Sequence, residues 1–417
     1  MFIFARIFTG ISQSSIKQSQ MRTAIIGGGA AGFFLAINLK EMVPEMEVTL
    51  FERGRRVLSK VEVSGGGRCN CTNSFEGVTD LSQVYPRGHR LLKRLFHVFN
   101  QQDAYQWFER HGVRLVTQSD QCVFPASQDS HTIIDCFMRE AQRLGVTICL
   151  EHPVNSLAAL SGYDFVAVTT GGSPKFSGLQ WLADLGHHIE EPVPSLFTFG
   201  IQDPSLQSLM GTVVDPVTVQ IPGTKLLADG ALLITHWGMS GPAILKLSSY
   251  AARYLQTASY HATLHVNWVH ATDAEVVRVL RASLSDYPQR YLSNINPFGL
   301  PQRLWSYLLT KSVGERTDVR CAELSKKEQN RLVNTLCNDS YQITSRAAFK
   351  EEFVTCGGVS LKSVHPNTLE SKVVPRLFFA GEVLDIDGVT GGFNFQAAWT
   401  TAFTVARAIA CFMTKDI

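Results

Sequence analysis

Residues 23–42 read TAIIGGGAAGFFLAINLKEM: a short apolar run, three glycines, then an apolar stretch with helical spacing. Gly27-x-Gly29-x-x-Gly32 therefore follows a predicted strand directly and opens a predicted helix. Gly27 permits the tight turn, Gly29 lets backbone approach a pyrophosphate, and Gly32 allows the helix to pack close to the strand. The helix start offers unpaired N–H groups and partial positive charge to phosphate. EVTLFERG (47–54) predicts a second strand ending in Glu52, where a carboxylate would accept hydrogen bonds from an adenosine ribose. Strand, glycine turn, helix and strand in this order form a dinucleotide-binding unit. An acid at Glu52 favours a ribose with free hydroxyls, as in FAD or NAD, over NADP. Gly28, Ala30, Ala31 and Arg53 complete the candidates around this turn.

The rest of the composition is unremarkable in charge and rich in core. The chain has 417 residues, 45% hydrophobic and 18% charged, enough for two or three domains. A net charge of +2 gives no electrostatic reason to expect nucleic acid. Nine widely spread cysteines do not resemble a secreted disulfide framework and suggest a reducing, cytoplasmic setting. Residues 1–20 differ in character from the rest of the chain. Their apolar part is too short to span a bilayer, and the segment is read as a disordered extension, with targeting or surface anchoring as the alternative.

Further along, residues 89–111 and 131–144 have helical patterns, while 147–157 and 163–172 read as strands. From about 195 to 268 short β segments alternate with turn residues; 269–340 is helical and charge-rich; 341–356 is again β-like. Strand and loop return at 374–388 before a last helix at 394–412. The expectation is an α/β protein with a discontinuous Rossmann-like FAD-binding domain (21–194 and 357–417). Into it are inserted a β-rich domain (195–268 and 341–356) and a small helical domain (269–340).

The choice between FAD and NAD rests on the far end. VAVTTGGSP (166–174) looks like the strand-plus-TGG element by which many flavoproteins return the chain beneath the cofactor, making Thr170 and Gly171 candidates. RLFFAGEVLDIDG (376–388) resembles the late strand whose Gly-Glu pair, here Gly381 and Glu382, positions the ribityl chain. GGFNFQAAW (391–399) starts a helix whose N–H groups could face the flavin N1–C2=O edge and stabilise charge on reduced flavin. Gly391, Gly392, Phe393, Asn394 and Phe395 are the candidates there, with Val154 from the middle of the chain.

GGGAAG, SGGGRCNCTN, LFTFGI, THWGMSGPAILKLS, TCGGVSL and FAGEVLDIDGVTGGFNFQAAW together resemble the BaiN-type NAD(P)/FAD-dependent oxidoreductases, over residues 22–412. The resemblance implies noncovalently bound FAD and a two-dinucleotide-binding-domain flavoprotein fold, but no substrate. It also bears on VSGGGRCNCTNS (63–74). Zinc would need a second ligand pair, which Cys69-x-Cys71 lacks, and a one-residue gap strains a disulfide. The stretch is read instead as a second cofactor-cradling loop. Gly65, Gly66 and Gly67 let backbone amides approach, while Arg68 and Asn70 donate to phosphate or flavin. No metal site is expected.

His236, in THWGMSGP (235–242), is the catalytic candidate on the substrate side. The functional expectation is oxidation or reduction of a small organic molecule by hydride transfer at flavin N5, with NAD(P)H or oxygen as electron partner. No second GxGxxG is present, so a nicotinamide would bind transiently. The alternative is a non-catalytic or RNA-associated flavoprotein. Its only sequence support, the basic residues Arg316, Arg320, Lys326, Lys327 and Arg331, alternates with acids as a solvated helical face does.

Overall fold

The structure, a computed structural model, describes residues 21–314, 316, 319–346 and 354–415. The extension expected over 1–20 lies outside the described residues. The chain begins β1 (Arg22–Ile26), α1 (Ala30–Met42), β2 (Glu47–Phe51), α2 (Ser59–Gly67) and β3 (Thr72–Asn73). It continues through α3 (His89–Leu95), α4 (Gln101–Arg110), β4 (Leu115–Thr117), β5 (Cys122–Pro125), α5 (His131–Arg143), β6 (Thr147–Cys149) and β7 (Phe165–Val168). After α6 (Gln180–Asp184) come β8 (Ile189–Ser195), β9 (Phe199–Gly200), α7 (Pro204–Gln207), β10 (Val213–Gln220), β11 (Leu227–Thr235) and β12 (Gly238–Ser240). Then come α8 (Pro242–Tyr250), α9 (Ala252–Thr257), β13 (Ala262–Asn267), α10 (Asp273–Asp286), α11 (Gln302–Val313) and α12 (Lys326–Cys337). The chain closes with β14 (Asp339–Ile343), β15 (Ser345–Arg346), β16 (Val354–Val359), β17 (Leu377–Phe379) and α13 (Phe393–Lys415).

The glycine-rich opening produces a five-stranded parallel sheet in the order β17-β7-β1-β2-β6. Central strands of such sheets are covered on both faces, which is why β1 reads as an unbroken apolar run. The helix α1 is buried from Ala31 to Leu39 and packs against α13. A helix apolar all round belongs inside the protein. Phe34 meets Phe99, Trp107 and Trp399 at ring-centroid distances of 5.4, 4.6 and 5.1 Å, so three distant segments share one aromatic core.

The helical pattern over 89–111 is two helices. Asn100 ends the first run by capping α4. Its side chain accepts from the N–H groups of Gln102 and Asp103, and Asp103 bonds back to the Asn100 N–H.

A seven-stranded antiparallel sheet, β14-β13-β10-β11-β12-β9-β15, forms the second layer system. The helices α10, α11 and α12 place Leu280, Trp305 and Leu332 in the same apolar core as Val219, Ile234 and Val266 of that sheet. The pair β8–β16 carries the chain out of the Rossmann half and back. The junction is polar and buried. Arg87 Nε donates to Asp387 Oδ1 at 2.5 Å, its Nη2 to Oδ2, and its Nη1 to the Ser249 carbonyl at the end of α8 (2.7 Å). Beside it Arg253 of α9 donates to both carboxylate oxygens of Asp385 at 3.0 Å. These arginines occupy the surroundings of Cys356, Asp385 and Asp387, whose ligand atoms lie within 4.8 Å of one another.

Candidate functional site

The glycine turn after β1 is built by close approach. A Cβ on Gly32 would fall 2.1 Å from the Gly27 carbonyl oxygen, and one on Gly27 (φ +114°) 2.5 Å from the Thr169 carbonyl oxygen. Thr169, the residue before the TGG element, donates its hydroxyl to the carbonyls of Ile26 (3.1 Å) and Gly27 (2.9 Å) and ties the turn to β7. Gly28 is also enclosed, with Val57 2.7 Å from where its Cβ would be. Gly29 is different. Its φ of −94° suits any L-residue, yet its side-chain position faces open space with nothing within 4 Å. Glu52 accepts from the N–H groups of Gly28 (3.0 Å) and Gly54 (2.7 Å), which fixes the carboxylate beside this turn. Arg53 is exposed and Val154 buried.

The FAGE segment lies against the same turn. A Cβ on Gly381 (φ +77°) would sit 2.8 Å from the Ala31 methyl carbon, and the Gly381 N–H donates to Thr401 of α13 at 2.9 Å. Glu382 Oε2 pairs with Lys60 Nζ at 3.0 Å, and Oε1 accepts from the Thr355 N–H at 2.8 Å. Gly171 and Gly172 flank this carboxylate: a Cβ on either would lie 3.9 or 2.6 Å from it. Thr170, beside them, is exposed.

The third wall is the 63–74 stretch. Helix α2 breaks at Ser64–Gly66, with Gly65 and Gly66 left-handed at φ +57° and +70°. Cβ positions on Gly66 and Gly67 face open space, as at Gly29. Ser130 anchors the loop, its hydroxyl donating to Glu62 O (2.8 Å) and its N–H to Gly67 O (2.9 Å). Arg68 lies over the Phe124 ring at 4.3 Å and donates to Gly65 O at 3.1 Å.

This loop and the start of α13 are locked together. The Asn70 amide donates to Thr72 O (2.8 Å) and accepts from the Gly392 N–H (3.2 Å). Asn73 donates to Gly391 O at 3.0 Å, and Tyr85 donates its hydroxyl to Phe393 O at 2.8 Å. Asn394 accepts from the Gly388 N–H (2.8 Å) and donates to the Gly388 carbonyl (2.9 Å). The amides of Asn70 and Asn394, candidates for reaching the cofactor, also bond to this chain's own backbone. The Gln396 N–H bonds to Gly392 O (3.0 Å), so earlier N–H groups of the helix start have no intrahelical acceptor. Phe395 stacks on Trp399, with 6° between the ring planes.

Cys69 and Cys71 are fully buried. Burial pushes the Cys69 thiol up to about 12 and the Cys71 thiol well above its ordinary value. Cys71 Sγ donates to Val123 O at 3.3 Å. His236 is exposed at the two-residue turn between β11 and β12, packed on the exposed Trp237 at 4.6 Å. Among the described residues, no hydrogen bond joins it to the glycine-walled cleft.

The HI0933-like protein Rossmann domain family matches residues 21–408. The chain belongs to this family. A ribosomal RNA dihydrouridine synthase of Escherichia coli (strain K12) is 30% identical over 407 residues, covering 92% of this chain and 96% of that one. A 3-dehydro-bile acid delta(4,6)-reductase of Clostridium scindens is 25% identical over 414 residues, covering 93% and 99%. Among solved structures, a 3-ketosteroid delta1-dehydrogenase from Sterolibacterium denitrificans aligns over 94% of this chain and 99% of its own, at a TM-score of 0.49 and 10% identity. The family is the BaiN type that the sequence resembles, and this chain is an FAD-dependent oxidoreductase. Among the described residues no helix is long and apolar enough to cross a membrane.

Proposed function

We propose that this protein reduces a carbon–carbon double bond conjugated to a carbonyl, and that its substrate is the uracil ring of an RNA. One observation carries the reading: two family relatives differ entirely in substrate size but share a reaction. Making dihydrouridine saturates the C5–C6 bond of uracil, conjugated to the C4 carbonyl. The other name describes reduction of 4,6-unsaturation in a 3-keto bile acid. RNA is preferred because the dihydrouridine synthase has the higher identity, 30% against 25%.

The residues fit FAD. Gly29, Gly66 and Gly67 each present a side-chain position free of neighbouring atoms, while Gly27 and Gly32 are glycines for packing within the chain. The start of α1 would hold the pyrophosphate and Glu52 the adenosine ribose. Gly381 with Glu382 would hold the ribityl chain, and the start of α13 the N1–C2=O edge. When bound and reduced by NAD(P)H, FAD would supply a hydride from N5, and a proton from solvent would complete saturation of the double bond. The chain's own part is to hold these walls in place beforehand, through Asn70, Asn73, Tyr85 and Ser130, so that little reorganisation is needed.

The test is anaerobic. Purified protein should be yellow and release FAD on mild denaturation. With NADPH it should convert uridines in RNA to species heavier by one H2, without acting on a 3-keto-4,6-diene steroid. Reduction of the steroid and not the RNA would transfer the reading to small enones. A colourless protein that cannot be reconstituted with FAD would defeat both.

A further inference from the structure

Away from the cofactor cleft, the C-terminal end of α1 meets the ends of α4 and α5 in an open groove of about 620 Å³. Its walls are Glu41, Arg110, His111, Arg139, Glu140 and Arg143. A second depression of about 450 Å³ shares Glu41 and Arg143 and adds Lys40. We propose that this groove binds the phosphodiester backbone of the RNA substrate. The proposal rests on the RNA reading above and names the surface that holds the strand.

Charge is the first argument. The two depressions hold four permanent cations, Lys40, Arg110, Arg139 and Arg143, and two carboxylates, Glu41 and Glu140. That surplus of +2 on one small surface equals the formal net charge of all 417 residues. Burial opposes charging of the His111 ring, but the hydrogen bonds to Glu41 (3.0 Å) and the Trp107 carbonyl (2.7 Å) outweigh burial and raise its pKa.

Preorganisation is the second. Glu140 is 6% exposed and grips both neighbouring arginines by Nε, Arg139 at 3.0 Å and Arg143 at 2.6 Å. Arg139 is fixed again by donation of Nη2 to His111 O at 2.6 Å. Arg143 Nη2 also pairs with Glu41 at 3.5 Å, so both half-exposed guanidinium groups are held in set orientations, each with its Nη1 left for an anion. Arg110 is held only loosely, by Gln106 O at 3.4 Å, and is exposed.

Position is the third. Glu41 lies eleven residues along α1 from Ala30, which opens the helix at the cofactor end. At 1.5 Å per residue Glu41 is about 16 Å along the helix axis from the glycine turn. That is about five nucleotides of stacked strand at 3.4 Å each. A strand of that length can reach from one end of α1 to the other, whereas a small enone could not touch both ends.

The experiment measures binding of a fluorescent uridine-containing RNA stem–loop to the FAD-loaded protein across a salt series. Arg110→Gln/Arg143→Gln is compared with Arg278→Gln/Arg281→Gln, which removes two exposed arginines from α10. The groove pair should weaken binding about tenfold at low salt and lower the slope of log K against log salt by about 1.4, two contacts at about 0.7 each. The α10 pair should leave both unchanged, and all three proteins should show the same flavin absorbance and melting temperature. Equal binding by the groove variant and wild type, or equal weakening by both variants, overturns the groove and spares the RNA reading. Failure of wild type to bind RNA overturns both.

Discussion

Lys60 Nζ lies 3.0 Å from Glu382 Oε2, an ion pair between segments 322 residues apart. The other Glu382 oxygen holds the Thr355 N–H, so one carboxylate joins α2, the loop after β17 and β16 at the edge of the cofactor cleft. The Lys60 side chain is 57% exposed, and water screens the pair to about 0.5 kcal/mol. Lys60→Met and Glu382→Gln should each weaken FAD binding about twofold, and the double variant no more than either alone. Fluorescence titration with FAD checks this; additive losses would mean that the two residues act separately.

The glycines of the first turn should separate folding from binding. Gly29→Val meets open space at an unstrained φ, so the melting temperature should hold while FAD binding is lost. Gly32→Ala puts a methyl 2.1 Å from the Gly27 carbonyl oxygen and should cost about 3 kcal/mol of stability, as overpacking does. Denaturant unfolding and flavin content, read side by side, decide it.

The buried thiols set an alkaline limit. Cys69, at about 12 in the fold, ionises near its ordinary value of 9.0 once unfolded. The unfolded chain therefore loses protons first, and stability present below pH 9 falls as pH rises toward 12. Cys71, Cys136 and Cys337 are raised by burial as well and act in the same direction. Melting temperature should drop steadily above pH 9, less so in Cys69→Ala. At neutral pH neither Cys69 nor Cys71 should react with iodoacetamide, and Cys71→Ser should leave turnover within about twofold, since a hundredfold loss would need roughly 2.7 kcal/mol in the barrier.

The junction pair should be costly to break and cheap to replace. Asp387 is fully buried and Arg87 nearly so. Asp387→Asn strands the guanidinium and should cost about 3 kcal/mol or more, whereas Arg87→Met/Asp387→Leu should recover most of it. Urea unfolding of the two variants gives the comparison.

How much of this was legible depends on whether the signal was local. The turn at Gly27–Gly32, the acid at Glu52 and the strand at 377–379 declare themselves because each needs only its own neighbours to be read. The helix break at Asn100 was legible too, in an Asn-x-x-Asp cap, but the flanking apolar spacing masked it. Thr169, Ser130 and Thr401 were not: a hydroxyl that holds a segment distant in sequence leaves no periodic trace. The same is true of the bonds by which Asn70 and Asn394 hold distant backbone, which a glycine-rich string does not announce. The basic groove was hidden by averaging, since a net charge of +2 does not say where the charges gather.

The sheet order β17-β7-β1-β2-β6 places the last strand next to β7 and two positions from the first. On a ribosome, the antiparallel sheet and its three helices emerge entire while the cofactor cleft still lacks β17 and the wall supplied by α13. Nascent chains can therefore bury most of their second core before any flavin has a place to go. Cofactor capture becomes a late checkpoint on synthesis, so that chains halted before residue 377 should accumulate as soluble, colourless fragments with a folded insert.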